Sequence, residues 1–212
     1  MNINQDTCPL ALFSSWFDDA RGNADMDYPN AFTLSTVDDT NFPESRIVLA
    51  KAINNKDGYL VFYTNYQSRK GQHIFNNNHV SALFYWDKIK KQVRISGQCI
   101  SSPKQESDDY FASRPIENQI NASLSQQSQP IDDYSTLMTS FNNILTVHKG
   151  KADQSIKRPD YWGGFRLYFS SLEFWIAGSG RFHQRYKYER TINNPSTSNI
   201  SGTPWSLVKL QP

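Results

Sequence analysis

The chain reads as a mainly β protein of the α+β class, an antiparallel sheet with peripheral helices, and three observations carry that expectation. Aromatic residues are abundant, with 13 Phe, 11 Tyr and 5 Trp among 212 residues, and they gather with β-branched residues in short runs that suit a half-buried pleated surface. Clusters of Asn, Asp, Gly, Ser and Pro punctuate those runs as turns. Apolar residues at helical spacing are confined to a few segments, and no repeat or linker divides the sequence, so a single domain over residues 1–212 is expected.

Leu10, Leu12, Phe13, Trp16 and Phe17 fall at helical spacing across Pro9–Arg21, which predicts an amphipathic helix that lids the sheet or covers one of its edges. Residues 31–37 alternate as a strand, and residues 38–43 supply a turn. Residues 46–53 and 58–64 predict two strands joined by the hairpin loop Asn54-Asn55-Lys56-Asp57-Gly58. On one regular strand Arg46 and Lys51 point to opposite faces, so a ligand shared by both requires a bulge or two separate sites. Ser68 is placed to cap a helix over residues 69–77, in which Gly71 is a weak point. Arg69 and Lys70 put positive charge at that helix N-terminus, which is unfavourable unless an anion sits there. A solvated basic first turn is the plainer alternative.

Residues 79–86 and 92–101 form a further pair of strands around the charged segment 87–91. Ser102-Pro103-Lys104-Gln105 predicts a helix with a capping box and proline at its first position. That helix would carry Tyr110 and Arg114 four residues apart on one face, a plausible phosphate clamp, before Pro115 stops it. Residues 116–129 predict a short helix and a loop, and residues 131–147 a helix with Leu137, Met138, Phe141, Ile144 and Leu145 at helical spacing, ended by Gly150. After a polar connector over 151–160 come strands at 164–170, 173–177 and 185–190, a loop over 193–203 and a closing strand at 205–210. Seven or eight antiparallel strands with three or four helices result, and a closed or nearly closed barrel would remove the sheet edges.

A formal net charge of +2 is too small to argue for nucleic acid or a membrane surface. Cys8 and Cys99 have no metal-site or redox spacing, the N-terminus has no apolar signal core, and no run of about 20 apolar residues occurs; a soluble, cytoplasmic protein is expected. His73, His79 and His148 lack ligand spacing, so no metal is assigned. No Gly-rich phosphate loop or Gly-x-Ser-x-Gly elbow is present, which argues against nucleotide triphosphatases and hydrolases. If residues 181–186 are extended, Arg181, His183 and Arg185 share one side, opposite Phe182, Gln184 and Tyr186. Taken singly, each candidate has a plain structural role: His183 as a satisfied histidine, Trp162 and Trp175 as packing residues, Gln127-Ser128 as polar loop.

Their joint order says more. Arg46-Ile47-Val48-Leu49-Ala50-Lys51, Phe62-Tyr63-Thr64-Asn65 with Ser68-Arg69-Lys70, Gln92-Val93, Tyr110-Phe111-Ala112-Ser113-Arg114-Pro115, Gln127-Ser128, Trp162-Gly163-Gly164-Phe165-Arg166, Glu173-Phe174-Trp175 and Arg181-Phe182-His183-Gln184-Arg185 together resemble the pyridoxamine 5'-phosphate oxidase family. The likeness runs over nearly the whole chain.

The resemblance implies an FMN-binding split β-barrel and a homodimer with one FMN in each of two clefts between subunits. The residues that match the family's FMN contacts are Arg46, Ile47, Val48, Leu49, Lys51, Tyr63, Thr64, Arg69, Lys70, Gln92, Gln127, Ser128, Trp175 and Arg185. Those that match its substrate contacts are Lys51, Tyr110, Arg114, Asn118, Arg181 and His183, with Arg181 and His183 as the catalytic pair against the pyridine ring. The implied reaction oxidises pyridoxine or pyridoxamine 5'-phosphate to pyridoxal 5'-phosphate with O2 as acceptor, giving hydrogen peroxide, and ammonia from the amine. A two-subunit cleft would also let Arg46 and Lys51 approach ligand from different chains. Asn118 stands where the family commonly has serine, and Asn121 where glycine is usual, which bears on substrate choice more than on FMN. Two alternatives share these motifs: an FMN-dependent oxidase of the phenazine-biosynthesis type, and a non-catalytic protein that binds FMN or pyridoxal phosphate.

Overall fold

Alternating burial builds the sheet, and one aromatic helix fills it. The computed structural model describes residues 3–149, 156–193 and 201–212. Helix α1 (Pro9–Arg21) starts on a proline, which fits a first turn whose N–H groups have no helical partner. Its buried face meets the sheet ring to ring: Phe13 lies 5.5 Å from Phe84 and 5.7 Å from Phe169, and Trp16 lies 5.1 Å from Phe174. The expected lid is therefore a plug in the core, and its aromatic pairs add to the area they bury.

Strand β1 (Ala31–Val37) turns Phe32, Leu34 and Thr36 inward and pairs with β2 (Pro43–Leu49). The strand expected over residues 46–53 is broken. The amide of Ala50 donates to Asn30 O and that of Lys51 to Val61 O, so the chain bends before β3 (Ala52–Asn54), which pairs with β4 (Tyr59–Asn65). The break removes the parity conflict, because Arg46 and Lys51 do not share a regular strand. Helix α2 (Arg69–Asn76) has the expected cap, Ser68 Oγ accepting from the Gly71 amide at 3.4 Å. Gly71 is more than a weak point: a Cβ there would lie 2.3 Å from Tyr66 O.

Strand β5 (His79–Trp86) pairs along its full length with residues 91–98 of β6 (Lys91–Ser101). Helix α3 (Lys104–Ala112) follows, but its N-cap is Pro103 and no side chain caps it, so the expected capping box does not form. Ser102 instead donates to Glu106 Oε1 at 3.4 Å. Helices α4 (Ile116–Leu124) and α5 (Tyr134–Lys149) come next; Gly150, expected to end α5, lies outside the described residues, as do residues 151–155 of the connector and 194–200 of the late loop.

The two strands expected at 164–170 and 173–177 are one 15-residue strand, β7 (Trp162–Ile176). It survives as one because β6 pairs along residues 165–176 of it, with a register shift between Ser96 and Gly97 that leaves Ser170 as the extra residue. On its other edge β7 pairs with β4 through residues 162–168 and with β8 (Gln184–Glu189) through residues 171–176. This fork is the split in the sheet. Arg190 seals it, donating from Nε to Phe169 O at 2.9 Å and from Nη2 to Asp57 O at 3.1 Å. The short strands β9 (Ile192–Asn193) and β10 (Ser201–Gly202) pair with each other, and β11 (Ser206–Leu210) pairs with β8.

The main sheet has nine strands, all pairs antiparallel, and runs β11-β8-β7-β6-β5-β1-β2 with β4 and β3 branching from β7. Its end strands β2 and β11 do not pair with each other and β3 pairs only with β4, so the closed or nearly closed barrel expected takes the form of a curled half-barrel, split and open at these strands. Among the described residues no helix is long and apolar enough to cross a membrane. Both cysteines are free, and burial pushes the Cys99 thiol well above its usual range.

Candidate active site

A cavity of about 520 Å³ opens where β2, β4, α2 and the α3–α4 link meet, within the size range of small-ligand sites. Ile47, Val48, Leu49 and Lys51 form one wall, Tyr63, Thr64 and Lys70 a second, and Tyr110, Arg114, Asn118, Asn121 and Trp162 a third, with Gln127 at the rim. Among the described residues that line it, the cations are Lys51, Lys70 and Arg114, and none is a carboxylate.

Lys70 projects from the first turn of α2, whose N-terminal partial charge also favours an anion. Its Nζ donates to Thr64 Oγ1 and Ser68 Oγ, each at 3.2 Å, and to Gln127 Oε1 at 2.9 Å. All three acceptors are neutral. Burial, and secondarily the charge of Arg46, pushes the Lys70 amine down to about 8.

The aromatic wall is a ladder. Tyr63 stacks on Tyr110 at 3.9 Å and 15°, and lies 5.5 Å from Trp162 at 9°. Gly164 clears the space for it, since a Cβ there would lie 2.8 Å from Tyr63 Cε1, and Gly163 makes room for Tyr66, whose Oη would lie 2.2 Å from a Cβ. Burial, then the nearby Glu106 carboxylate, raises the Tyr63 phenol well above its usual range, so it stays neutral. Arg114 lies over Trp162 at 4.6 Å, and its Nη1 is buried without a hydrogen-bond partner among the described residues. The expected helical pair is not helical: α3 ends at Ala112, and Arg114 sits in the link, its amide donating to Phe111 O at 3.2 Å. Tyr110 and Arg114 nevertheless face the same cavity.

Of the expected FMN contacts, Ile47, Val48, Leu49, Lys51, Tyr63, Thr64, Lys70 and Gln127 converge on this cavity. Arg46 and Arg69 do not line it, since both pair with Glu44, and Arg46 also donates to Thr36 Oγ1 at 2.7 Å. Ser128, held at φ +75°, borders an adjoining hollow of about 620 Å³ that shares Ser125 and Gln127 with the cavity. Of the expected substrate contacts, Lys51, Tyr110, Arg114 and Asn118 are present, and Arg181 and His183 are absent.

The remaining candidates form a second cluster. Gln92, Trp175 and Arg185 lie in one row across β6, β7 and β8, and the His183 ring packs on Trp175 at 4.6 Å. The run through residue 183 is not extended as expected. Residues Ser179–Arg181 form a 3-10 turn, Gly180 and Arg181 take φ of +57° and +65°, and Arg181, His183 and Arg185 do not alternate along one strand. His183 is oriented by accepting the Gly178 amide at Nδ1, 3.2 Å away. Arg185 is oriented by Glu173, which is 6% exposed and receives its Nε at 2.9 Å and Arg94 Nη1 at 3.3 Å. Trp162 in the first cluster and Trp175 in the second stand at opposite ends of β7, about 40 Å apart along the strand at roughly 3.3 Å per residue. No single flavin-sized ligand reaches both in one chain.

Trp162 and Glu173 stand in the sequence motifs without an expected site role, and Gln119 stands outside them. The Gly163-Gly164 pair after Trp162 was the available signal, because paired glycines within a strand mark a close approach by other groups. Glu173 and Gln119 act through their burial, which sequence spacing does not reveal.

Residues 23–148 match the family model described as pyridoxamine 5'-phosphate oxidase, and residues 162–212 match that of the pyridoxine 5'-phosphate oxidase C-terminal dimerisation region. The pyridoxine/pyridoxamine 5'-phosphate oxidase of Paraburkholderia phytofirmans is 38% identical over 207 residues, covering 98% of this chain and 90% of its own. That of Legionella pneumophila strain Lens is 40% identical over 182 residues, covering 86% and 82%. Among solved structures, PhzG from Burkholderia lata 383 in complex with tetrahydrophenazine-1-carboxylic acid superposes with a TM-score of 0.82 at 28% identity, covering 96% of this chain and 92% of that one. A pyridoxamine 5'-phosphate oxidase-related, FMN binding protein from Nostoc punctiforme shares the fold, with a TM-score of 0.71 at 15% identity.

Proposed function

Because the chain belongs to the pyridoxamine 5'-phosphate oxidase family, we propose that it oxidises pyridoxine or pyridoxamine 5'-phosphate to pyridoxal 5'-phosphate, with FMN as cofactor and O2 as acceptor. The observation that carries this reading is the cavity itself, with Lys51, Lys70 and Arg114 beside a flat ladder of rings and no acid in its lining. Such a wall suits aromatic compounds bearing phosphate, and the unpartnered Arg114 Nη1 is a buried donor that an anionic oxygen would satisfy.

FMN fits the residues present. Lys70 and Gln127 would hold its phosphate with help from the α2 N-terminus, and Ile47, Val48 and Leu49 would line the flavin. Bound FMN supplies the two-electron acceptor, which O2 restores with release of hydrogen peroxide. The chain's own part is position and charge. Lys51, Tyr110 and Arg114 would hold the substrate phosphate, with Asn118 donating from its amide. Arg181 and His183 would press the pyridine ring into reacting distance.

The roughly 40 Å of strand that separates the two clusters supports a homodimer in which the Trp175 end of one protomer completes the cavity of its partner, and the match of residues 162–212 to a dimerisation region supports it too. Two free cysteines, one of them buried, suit a reducing compartment, and we place the protein in the cytoplasm.

The likeness to PhzG, whose ligand carries a carboxylate, favours a second reading, an oxidase of the phenazine-biosynthesis type. Asn118 and Asn121 line the cavity where they would meet either ligand. An absorption spectrum of the purified protein before and after anaerobic addition of pyridoxine 5'-phosphate decides between them. Bleaching of a flavin band, with peroxide on readmission of air, supports the B6 reaction. A flavin that never bleaches refutes it, and colourless protein indifferent to added FMN refutes both readings.

A further inference from the structure

We propose that Gln119 is a positioning residue for Arg114, an assignment that rests on the reading of the cavity as a phosphate site. Helix α3 stops at Ala112 and α4 starts at Ile116, so Arg114 belongs to a three-residue link, held to α3 by the Arg114 amide donating to Phe111 O at 3.2 Å. Gln119, 6% exposed on α4, reaches back with its amide to the end of α3 and to that link. Its Nε2 donates to Ala112 O at 3.3 Å and to Arg114 O at 2.8 Å. One side chain thereby ties the last carbonyl of α3 and the carbonyl of Arg114 to the body of α4.

This matters because nothing charged holds the guanidinium. Arg114 has no ion pair among the described residues; its side chain lies over the faces of Trp162 and Phe111, at 4.6 and 5.7 Å, with Nη1 unpartnered. A guanidinium is usually placed by a carboxylate fork. Here a carboxylate would neutralise the charge that the phosphate needs, so position has to come from the backbone. A neutral amide with two donors supplies it without offering a counter-ion. The isosteric glutamate would fail twice, because it has no hydrogen to give the two carbonyls and it brings a negative charge beside Arg114.

The test compares wild type, Gln119→Leu and Gln119→Glu as FMN-loaded enzymes. Steady-state kinetics with pyridoxine 5'-phosphate are read beside calorimetric titration with inorganic phosphate. Losing two neutral hydrogen bonds to the link predicts KM and the phosphate Kd raised about five- to tenfold in Gln119→Leu, and more in Gln119→Glu. The same account leaves kcat within about twofold and FMN affinity unchanged. In an Arg114→Ala background Gln119→Leu should change the phosphate Kd by less than about twofold, since no guanidinium remains to place. Unchanged KM and Kd, an equal fall in FMN affinity, or a full effect in the Arg114→Ala background each overturns the assignment. If wild type binds phosphate but leaves pyridoxine 5'-phosphate unoxidised, the substrate reading falls, and the phosphate titration alone upholds or overturns the role of Gln119.

Discussion

Raising the pH from 7 to 9 should weaken FMN binding about tenfold through Lys70 alone. In the ligand-free protein the Lys70 amine titrates near 8, because it is buried and sits near Arg46. Its charged fraction then falls from about nine-tenths at pH 7 to about one-tenth at pH 9, while a phosphate monoester, with its second pKa near 6, stays dianionic throughout. A bound phosphate favours the charged amine and raises its pKa, so FMN binding above pH 8 takes up a proton, and affinity drops by up to a factor of about ten per pH unit. Stability moves the other way. Between about 8 and 10.5 the unfolded chain holds the Lys70 proton and the folded apoprotein does not, so this group's contribution to apoprotein stability rises with pH. Quenching of FMN fluorescence at pH 7, 8 and 9 gives the affinities, and calorimetry in two buffers of different ionisation heat gives the proton uptake. In Lys70→Met the affinity should be lower and nearly flat with pH. A flat profile in the wild type, or the same slope in Lys70→Met, would refute the reasoning.

Three further outcomes are expected. Arg190→Leu leaves the carbonyls of Phe169 and Asp57 without their donor at the fork of the sheet, and should cost about 2–3 kcal/mol, seen as a fall in Tm of roughly 4–10 °C by calorimetry. Gly164→Ala places a methyl group 2.8 Å from Tyr63 Cε1 and 2.7 Å from Ser102 Oγ; FMN affinity should fall at least about tenfold as the ring ladder shifts, measured by fluorescence titration. Asn118→Ser shortens a cavity side chain to the one the family resemblance implies there, and should lower KM for pyridoxine 5'-phosphate about two- to threefold in a peroxide-coupled assay, with FMN affinity unchanged.

Local pattern made most of the architecture legible. Phe32, Leu34 and Thr36 alternate, α1 repeats its rings at helical spacing, and Ser68 caps where a serine should, so each could be read from near neighbours. What failed depended on partners distant in sequence. The continuity of β7 past Ser170-Ser171 is imposed by β6, which is invisible from β7 itself. The break at Ala50-Lys51 is made by Asn30 and Val61 capturing two amides. The site divides likewise. Lys51, Lys70, Tyr110 and Arg114 converge as the motifs suggested, but Arg46 and Arg69 are drawn away by Glu44, an acid in the same strand as Arg46 that carried no weight in the motif. The expected alternation of Arg181 and His183 failed because Gly180 lets the chain turn just before them.

The length of β7 has a consequence at the level of alleles. If each cleft draws its Lys70 wall from one protomer and its Trp175 row from the other, two lesions at opposite ends of that strand need not be equivalent to two at the same end. A cell carrying one copy damaged at Lys70 and another damaged at Arg185 would assemble mixed pairs in which one of the two clefts inherits only sound parts. If the proposed oxidation of pyridoxine 5'-phosphate is the activity, growth without supplied pyridoxal would then return to such a strain, and two copies damaged on the same side would stay dependent on it.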